Sequence, residues 1–263
     1  MPNWSLAIVV GLATSQLGLY LTTVFLHRTL SHKAITMSRP LHWSCRLATW
    51  VLTGIQPRQW VAVHRRHHAF TDIEGDPHSP IIEGFTAVQL LNAFLYRKAA
   101  NDERTLARYA RDIPEDKWDR VLFRHGLLGL GIGYLIVFAF LGWEWALVAW
   151  AIHIVVYLLG GGAINAIGHT FGKRPYDGQL ATNNQWLAIL VAGEGLHNNH
   201  HAAPTSARLS LNRFEFDPAW PLIRLGRALK LLTVRHDRPI FIKKAGPSAD
   251  AAASPAVSGA NAN

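Results

Sequence analysis

The sequence has almost no sulfur and little charge. One cysteine, Cys45, and two methionines occur in 263 residues. A lone cysteine excludes an intramolecular disulfide framework and any zinc or iron–sulfur site built on cysteine. Charged residues make up 16% of the chain against 49% hydrophobic, which is apolar for this length. Charge is absent altogether from residues 4–26, and Glu144 is the sole charge between His125 and Gly172. The sequence contains no internal repeat. The first apolar run has neither a basic segment before it nor a small-residue cleavage site after it, which argues against a cleaved leader.

The charge that is present lies in blocks. The chain carries a net charge of +9 and a pI near 10. A basic nucleic-acid binder carries such charge on a polar domain; here it is segregated from long apolar runs, so nucleic acid is excluded as a partner. Of the 26 lysines and arginines, none falls in residues 1–26 or 125–172, 15 lie in 27–124 and 11 follow residue 172. A run of about 20 apolar residues crosses a hydrocarbon core of about 30 Å as a helix. Residues 4–26 therefore read as a retained transmembrane helix, and the tract from 125 to 172 as two further spans, near 125–142 and 145–167. The turn between them is expected at Trp143-Glu144-Trp145, since tryptophan favours the membrane interface. With all positive charge on one side, that side is cytoplasmic by the positive-inside tendency. Residues 41–56 are a competing fourth span. They are short and contain Arg46, and a crossing there would separate the histidine clusters described below, so a helix dipping into the inner leaflet is preferred.

The fold class expected is thus an all-α integral membrane protein. About three transmembrane helices, possibly four, would carry a cytoplasmic helical cap in one domain spanning 1–244. Residues 83–124 read as solvated helix and loop. Trp220 to Arg235 reads as a basic amphipathic helix resting on lipid headgroups. The tail, 245–263, is rich in small and polar residues and reads as disordered.

Against this background the 14 histidines stand out. Three clusters occur: His27-Arg28-Thr29-Leu30-Ser31-His32, His64-Arg65-Arg66-His67-His68 and His197-Asn198-Asn199-His200-His201. In the second and third, the first histidine stands three and four positions from the others, so a helix puts all three rings on one face. Such a face can hold a metal, and imidazole suits iron, zinc, copper and nickel alike. The HxxxxH spacing of the first cluster turns about 500° on an ideal helix, roughly 140° off a common face. His27 and His32 share a site only if the chain bends between them, for which a helix ending near Arg28 would serve. Placed by charge and hydropathy, the clusters and His169 all fall at the cytoplasmic membrane face. His42, His125, His153 and His236 read as structural.

As a set, HRTLSH, HRRHH and HNNHH resemble the three histidine boxes of the integral-membrane fatty acid desaturases, in particular the stearoyl-CoA (Δ9) branch. Asp76-Pro77-His78, Asn165-Ala166-Ile167-Gly168-His169, Arg174-Pro175-Tyr176-Asp177 and Gly193-Glu194-Gly195 extend the resemblance, which covers residues 20 to about 205. It implies a di-iron centre with dioxygen as co-substrate. One iron would take His27, His32, His64, His68 and His200; the other His67, His169, His197, His201 and Asn165 through a water. Asp76, His78 and Glu194 are candidates for supporting the ligands.

The reaction so implied inserts a cis double bond into a saturated acyl chain carried by CoA, acyl carrier protein or a lipid. No haem-binding segment is fused to the chain, so a separate donor with its reductase is expected: a ferredoxin, a rubredoxin-like protein or a cytochrome b5-type protein. Animal relatives have two spans before the first box, where this chain has one. A histidine-box hydroxylase or alkane monooxygenase is an alternative with the same metal chemistry. A membrane metal transporter is an alternative of another class, but it would line a path through the bilayer with its histidines rather than gather them at one face.

Overall fold

The computed structural model describes residues 4–236 and 239–241. The segment 245–263, expected to be disordered, lies outside the described residues. Among the described residues ten α-helices are joined by connections of very different length: α1 (Trp4–Leu21), α2 (Arg39–Thr53), α3 (Pro57–Ala69), α4 (Phe85–Ala100), α5 (Glu103–Tyr109), α6 (Gly126–Leu141), α7 (Trp143–Ala166), α8 (Gln185–Leu190), α9 (His197–Ala202) and α10 (Ala219–Ala228). The helix begun by α1 continues without a break as a π-helical segment, Thr22–Ser31. One departure from an all-α chain is a small antiparallel sheet, β1 (Ile35–Met37) against β2 (Leu232–Val234), with Thr36 opposite Thr233.

Two helices are long and apolar enough to cross a membrane, Trp4–Ser31 and Trp143–Ala166. They lie side by side and parallel: Gly11 abuts Ala149 and Ile152, Gly18 abuts Tyr157, and Leu19 meets Gly160. Trp4 and Trp145 meet edge to face at one end, with ring centroids 4.8 Å apart. At 16 residues α6 is shorter, about 24 Å by helical rise. It packs antiparallel on α7, burying Val137 beside Ala146, Ala149 and Trp150. The turn between them is Gly142, at φ 77, rather than Trp143 to Trp145. Only glycine takes that conformation cheaply. Gly142 closes α6 by donating to Phe138 O and opens α7 by accepting from Ala146 N–H, so Trp143 to Trp145 form the first helical turn. The outward faces of these helices remain apolar, with Leu12 and Leu17 of α1, Leu135 and Phe140 of α6, and Leu147 and Val155 of α7 exposed.

Residues 41–56 do not run the length of α1. His42 packs edge-on to Phe25, ring centroids 5.1 Å apart, while Thr53 sits beside Gly18. So α2 descends from the histidine end of α1 to about its middle. There Leu52 O accepts from His153 Nε2 at 2.7 Å, which gives His153 the structural role expected of it. Gly54, at φ 64, turns the chain, and α3 returns to set His64 against His27, ring centroids 4.5 Å apart. Arg46 is buried in α2 but not unpaired: it holds Asp116 at 2.7 Å and Asp119 at 2.5 Å, and lies over the Phe123 ring.

Two expectations are corrected by packing. The stretch 83–124 is not simply solvated, because α4 packs on α7 so closely that a Cβ on Gly162 would lie 2.4 Å from Gln89 O. It leaves Leu90, Leu91 and Phe94 exposed on its other side. The amphipathic helix stops at Ala228 instead of reaching Arg235. Lys230, at φ 57, breaks it, and the freed strand pairs with β1.

Small residues let α6 approach α2. A Cβ on Gly129 would stand 2.4 Å from Trp50 O, whereas one on Gly131 meets nothing within 4 Å. Gly129→Ala is therefore expected to force the helices apart and cost about 1–3 kcal/mol. Gly131→Ala should be neutral or slightly stabilising by helix propensity. Thermal unfolding of the two purified variants in detergent checks the contrast.

Candidate metal centre

The first cluster reaches the centre through an unusual helix geometry. The helix does not end near Arg28 to make the expected bend. It runs on to Ser31 with hydrogen bonds five residues apart: Thr29 Oγ1 to Val24 O at 2.7 Å, Ser31 Oγ to Leu26 O at 3.1 Å, and His32 N–H to His27 O at 3.1 Å. Five-residue closure stacks residue i+5 over residue i, which brings His27 and His32 to one side with ring centroids 4.9 Å apart. The second cluster lies on α3 and the third on α9, each with its three rings on one face. His169 follows α7 in a turn that its N–H closes on Asn165 O at 3.2 Å.

These elements gather the nine imidazoles into two groups. His27, His32, His64, His68 and His200 form one; His67, His169, His197 and His201 form the other, with the donor nitrogens of each within 4.8 Å of one another. Within the groups Nε2 atoms face Nε2 atoms: His32 to His64 at 2.8 Å, His200 to His68 at 2.8 Å and to His27 at 3.0 Å, and His67 and His197 each 3.3 Å from His201.

Carboxylates behind the rings settle which nitrogens carry hydrogen. His27 Nδ1 lies 2.8 Å from Glu194 Oε1, His67 Nδ1 2.9 Å from Asp76 Oδ2, and His169 Nδ1 2.7 Å from Asp72 Oδ2. Burial pushes all three acids up, but the histidines they face and their other hydrogen bonds outweigh it, holding Asp72 and Glu194 below their ordinary range and Asp76 at about 2. Ionised carboxylates only accept, so each Nδ1–H donates, which leaves Nε2 as the nitrogen turned towards the other rings. Burial, then neighbouring imidazoles, keep His32, His64, His68, His197, His200 and His201 far below the usual histidine range, hence neutral at pH 7. One N–H on His200 Nε2 cannot serve both His27 and His68, and His169 Nε2 has no partner. Converging lone pairs repel; a cation between them turns the repulsion into ligation, so the donor set fits metal.

Comparison with known proteins gives the arrangement its context. The fatty acid desaturase family model matches residues 2–233. The chain belongs to the fatty acid desaturase family. It is 34% identical to Delta-9 acyl-lipid desaturase 2 of Arabidopsis thaliana, over 88% of this chain and 75% of that protein. It is 32% identical to the sn-1 stearoyl-lipid 9-desaturase of Anabaena variabilis, over 86% and 81%, and 31% identical to the acyl-CoA C20 Delta5-desaturase of Anemone leveillei, over 82% and 69%. It is accordingly an oxidoreductase, and its two long apolar helices associate it with membrane.

A cavity of about 990 Å³ opens onto the desaturase's histidines, lined there by His27, His64, His197 and Asn165. Away from them its wall becomes apolar at Leu19, Leu52, Ile154 and Leu158, and polar at Gln56, Arg97, Asn101 and Arg124. His78, a candidate for supporting the ligands, has its ring beside that of His67, centroids 4.9 Å apart, while its backbone N–H donates to Asp76 Oδ1 at 3.1 Å.

Sequence reasoning missed Asp72, the partner of His169; its position four residues before Asp76 was a signal, since Asp72 N–H also donates to Asp76 Oδ2. It also missed the buried pair of Arg28 with Asp217, at 2.8 and 3.1 Å, which no spacing announces. The arginines of the second box tie the centre to its surroundings: Arg65 binds Leu30 O, Ser31 O and Asp112, and Arg66 binds Gly75 O and Thr105.

If the carboxylates orient the ligands, Asp72→Ala and Asp76→Ala each weaken metal affinity about 10–100-fold. Asp177→Ala, at an exposed position, should leave it unchanged. Metal content after dialysis against graded chelator measures the difference.

Proposed function

We propose that this desaturase is a multi-pass integral-membrane di-iron enzyme that inserts a cis double bond into a saturated acyl chain. The observation carrying this reading is the double cluster of nine buried or half-buried imidazoles, three of them backed by carboxylates, at the wall of a partly apolar cavity. In it His27, His32, His64, His68 and His200 would hold one iron, and His67, His169, His197 and His201 would hold the other, with Asn165 serving the second through a water. Bound iron supplies the redox chemistry with dioxygen that no side-chain acid or base can provide for an unactivated methylene pair. Overall, dioxygen, two electrons and two protons take two hydrogens from adjacent methylenes, leaving an alkene and two waters.

The protein's part is positioning and exclusion. Glu194, Asp76 and Asp72 hold His27, His67 and His169 in one tautomer and orientation, so their Nε2 atoms are preorganised. Leu19, Leu52, Ile154 and Leu158 accept an acyl chain and keep water from it. Arg97, Asn101 and Arg124 give the cavity a polar end for the carrier. The named relatives act on acyl-CoA or acyl-lipid substrates, and acyl-CoA, acyl carrier protein or a lipid is the carrier proposed for this chain. Electrons come from a separate ferredoxin, rubredoxin-like or cytochrome b5-type donor and its reductase.

In the membrane, α1, α6 and α7 make three passes, α2 and α3 dip in from one side and return, and the histidine end is cytoplasmic. Residues 1–244 act as one domain.

Expression in a desaturase-deficient host, with mass-spectrometric location of double bonds, tests the reaction. The wild-type chain should yield a new cis alkene and bind about two irons; His67→Ala and His200→Ala should abolish the alkene. Hydroxylated lipid without alkene would overturn the desaturation in favour of a hydroxylase. For topology, a reporter inserted at Glu144 should be accessible from outside the cell and one after Gln56 only from inside; the reverse would refute the one-faced site.

A further inference from the structure

Two polar groups in the cavity wall have no use in the metal centre. Asn92 and Tyr96 stand four residues apart on α4, so both project from one face, and both line the cavity. Asn92 Oδ1 and the Tyr96 hydroxyl are shut off from the surface, yet neither has a hydrogen-bonding partner. Tyr157, also in the cavity wall, satisfies its hydroxyl on Thr22 Oγ1 at 2.8 Å, so of these two tyrosines only Tyr96 has an orphaned hydroxyl. Buried polar groups in native folds are nearly always paired, and orphans on two residues that line one internal space point to a ligand or water that pairs them there.

The pair is held firmly with respect to the histidines. The Tyr96 side chain packs on Val63, Ala99 and Ala100, and Val63 adjoins His64 on α3. On the other side α4 is fixed to α7 by the close approach of Gly162 to Gln89 O and by Gln89 Nε2 donating to Leu159 O at 3.0 Å. Arg97, further along α4, and Asn101, just past its end, also line the cavity, together with Arg124. Along α4 the wall thus passes from neutral hydrogen-bonding groups to cations, the order of polarity in an acyl carrier: carbonyl, then anionic head.

We propose that Tyr96, with Asn92 beside it, anchors the carbonyl of the acyl ester or thioester and so fixes which methylene pair lies at the histidines. This rests on the desaturase reading. A chain gripped by apolar contacts alone slides by one methylene at little cost, because such contacts are non-directional. A hydrogen bond to its one strong acceptor stops the sliding. Burial raises the Tyr96 pKa, so the hydroxyl keeps its proton and donates. The Asn92 amide can turn its NH₂ to the same oxygen by rotation about its last torsion.

Two measurements test the anchor. In the desaturase-deficient host, Tyr96→Phe should retain iron but spread the double bond to neighbouring positions, raising their share at least about fivefold; Asn92→Leu should do so more weakly. A loss of iron in Tyr96→Phe would make the second measurement decisive. There the purified full-length protein is titrated with stearoyl-CoA against S-octadecyl-CoA, which lacks the carbonyl, and with diacyl against dialkyl phosphatidylglycerol vesicles. The wild-type protein should prefer the carbonyl-bearing probe about tenfold in one of the two arms, which identifies the carrier, and Tyr96→Phe should lose that preference. No preference in either arm, a preference that survives Tyr96→Phe, or an iron-loaded Tyr96→Phe with unchanged double-bond position would overturn the anchor. Failure of the desaturase reading looks different: the wild-type chain itself would give no alkene.

Discussion

Nine imidazole rings brought close to one another, with their Nε2 atoms turned inward, is the constraint that shapes this protein. Ring nitrogens so arranged are ill-matched unless a cation lies among them, and burial removes the water that would otherwise separate them. The surrounding fold accommodates this by fixing the rings from behind. Glu194, Asp76 and Asp72 each hold one Nδ1–H, and Thr23 also donates to Glu194. The acids come from two distant places in the chain, the loop after α3 and the segment before α9, so the orientation of the rings depends on the tertiary fold being complete.

Several features that look like irregularities follow from that demand. The π-helical segment lets the helix begun by α1 deliver both His27 and His32 to one site. Gly54 ends α2 halfway down α1 and returns the chain as α3, which keeps the second cluster on the same side as the first. Arg28, inside the first box, is turned away from the centre and buried against Asp217, Ala207 O and, at 4.0 Å, Glu194. It links the supporting acid of His27 to the segment before α10. A buried pair of this kind is costly to break because the surviving charge is left without solvent.

The same economy explains why the cavity wall is uneven. Glycines at 129, 133 and 162 bring α6 to α2 and α7, and α4 to α7, at backbone distance, as small residues do between membrane helices. Space is left beside the histidines, where α4 presents Asn92 and Tyr96. The helices therefore close tightly away from the centre and stay apart at it.

The sequence by itself determined the histidine clusters, the helical faces of the second and third, the apolar runs and the asymmetry of charge. These are local or compositional properties, carried by spacing of three, four and about twenty residues. The family was legible for the same reason. Tertiary structure alone decided the rest. An i→i+5 helix cannot be read from a pattern that assumes 3.6 residues per turn, so the geometry of His27 and His32 was visible only once folded. Whether residues 41–56 pass along all of α1 depended on a turn at Gly54 and a hydrogen bond to His153, a contact 101 residues away. Asp72, Asp217 and Tyr96 carry no signature of their own, since a carboxylate or a hydroxyl gains its role from the group that folding places opposite it.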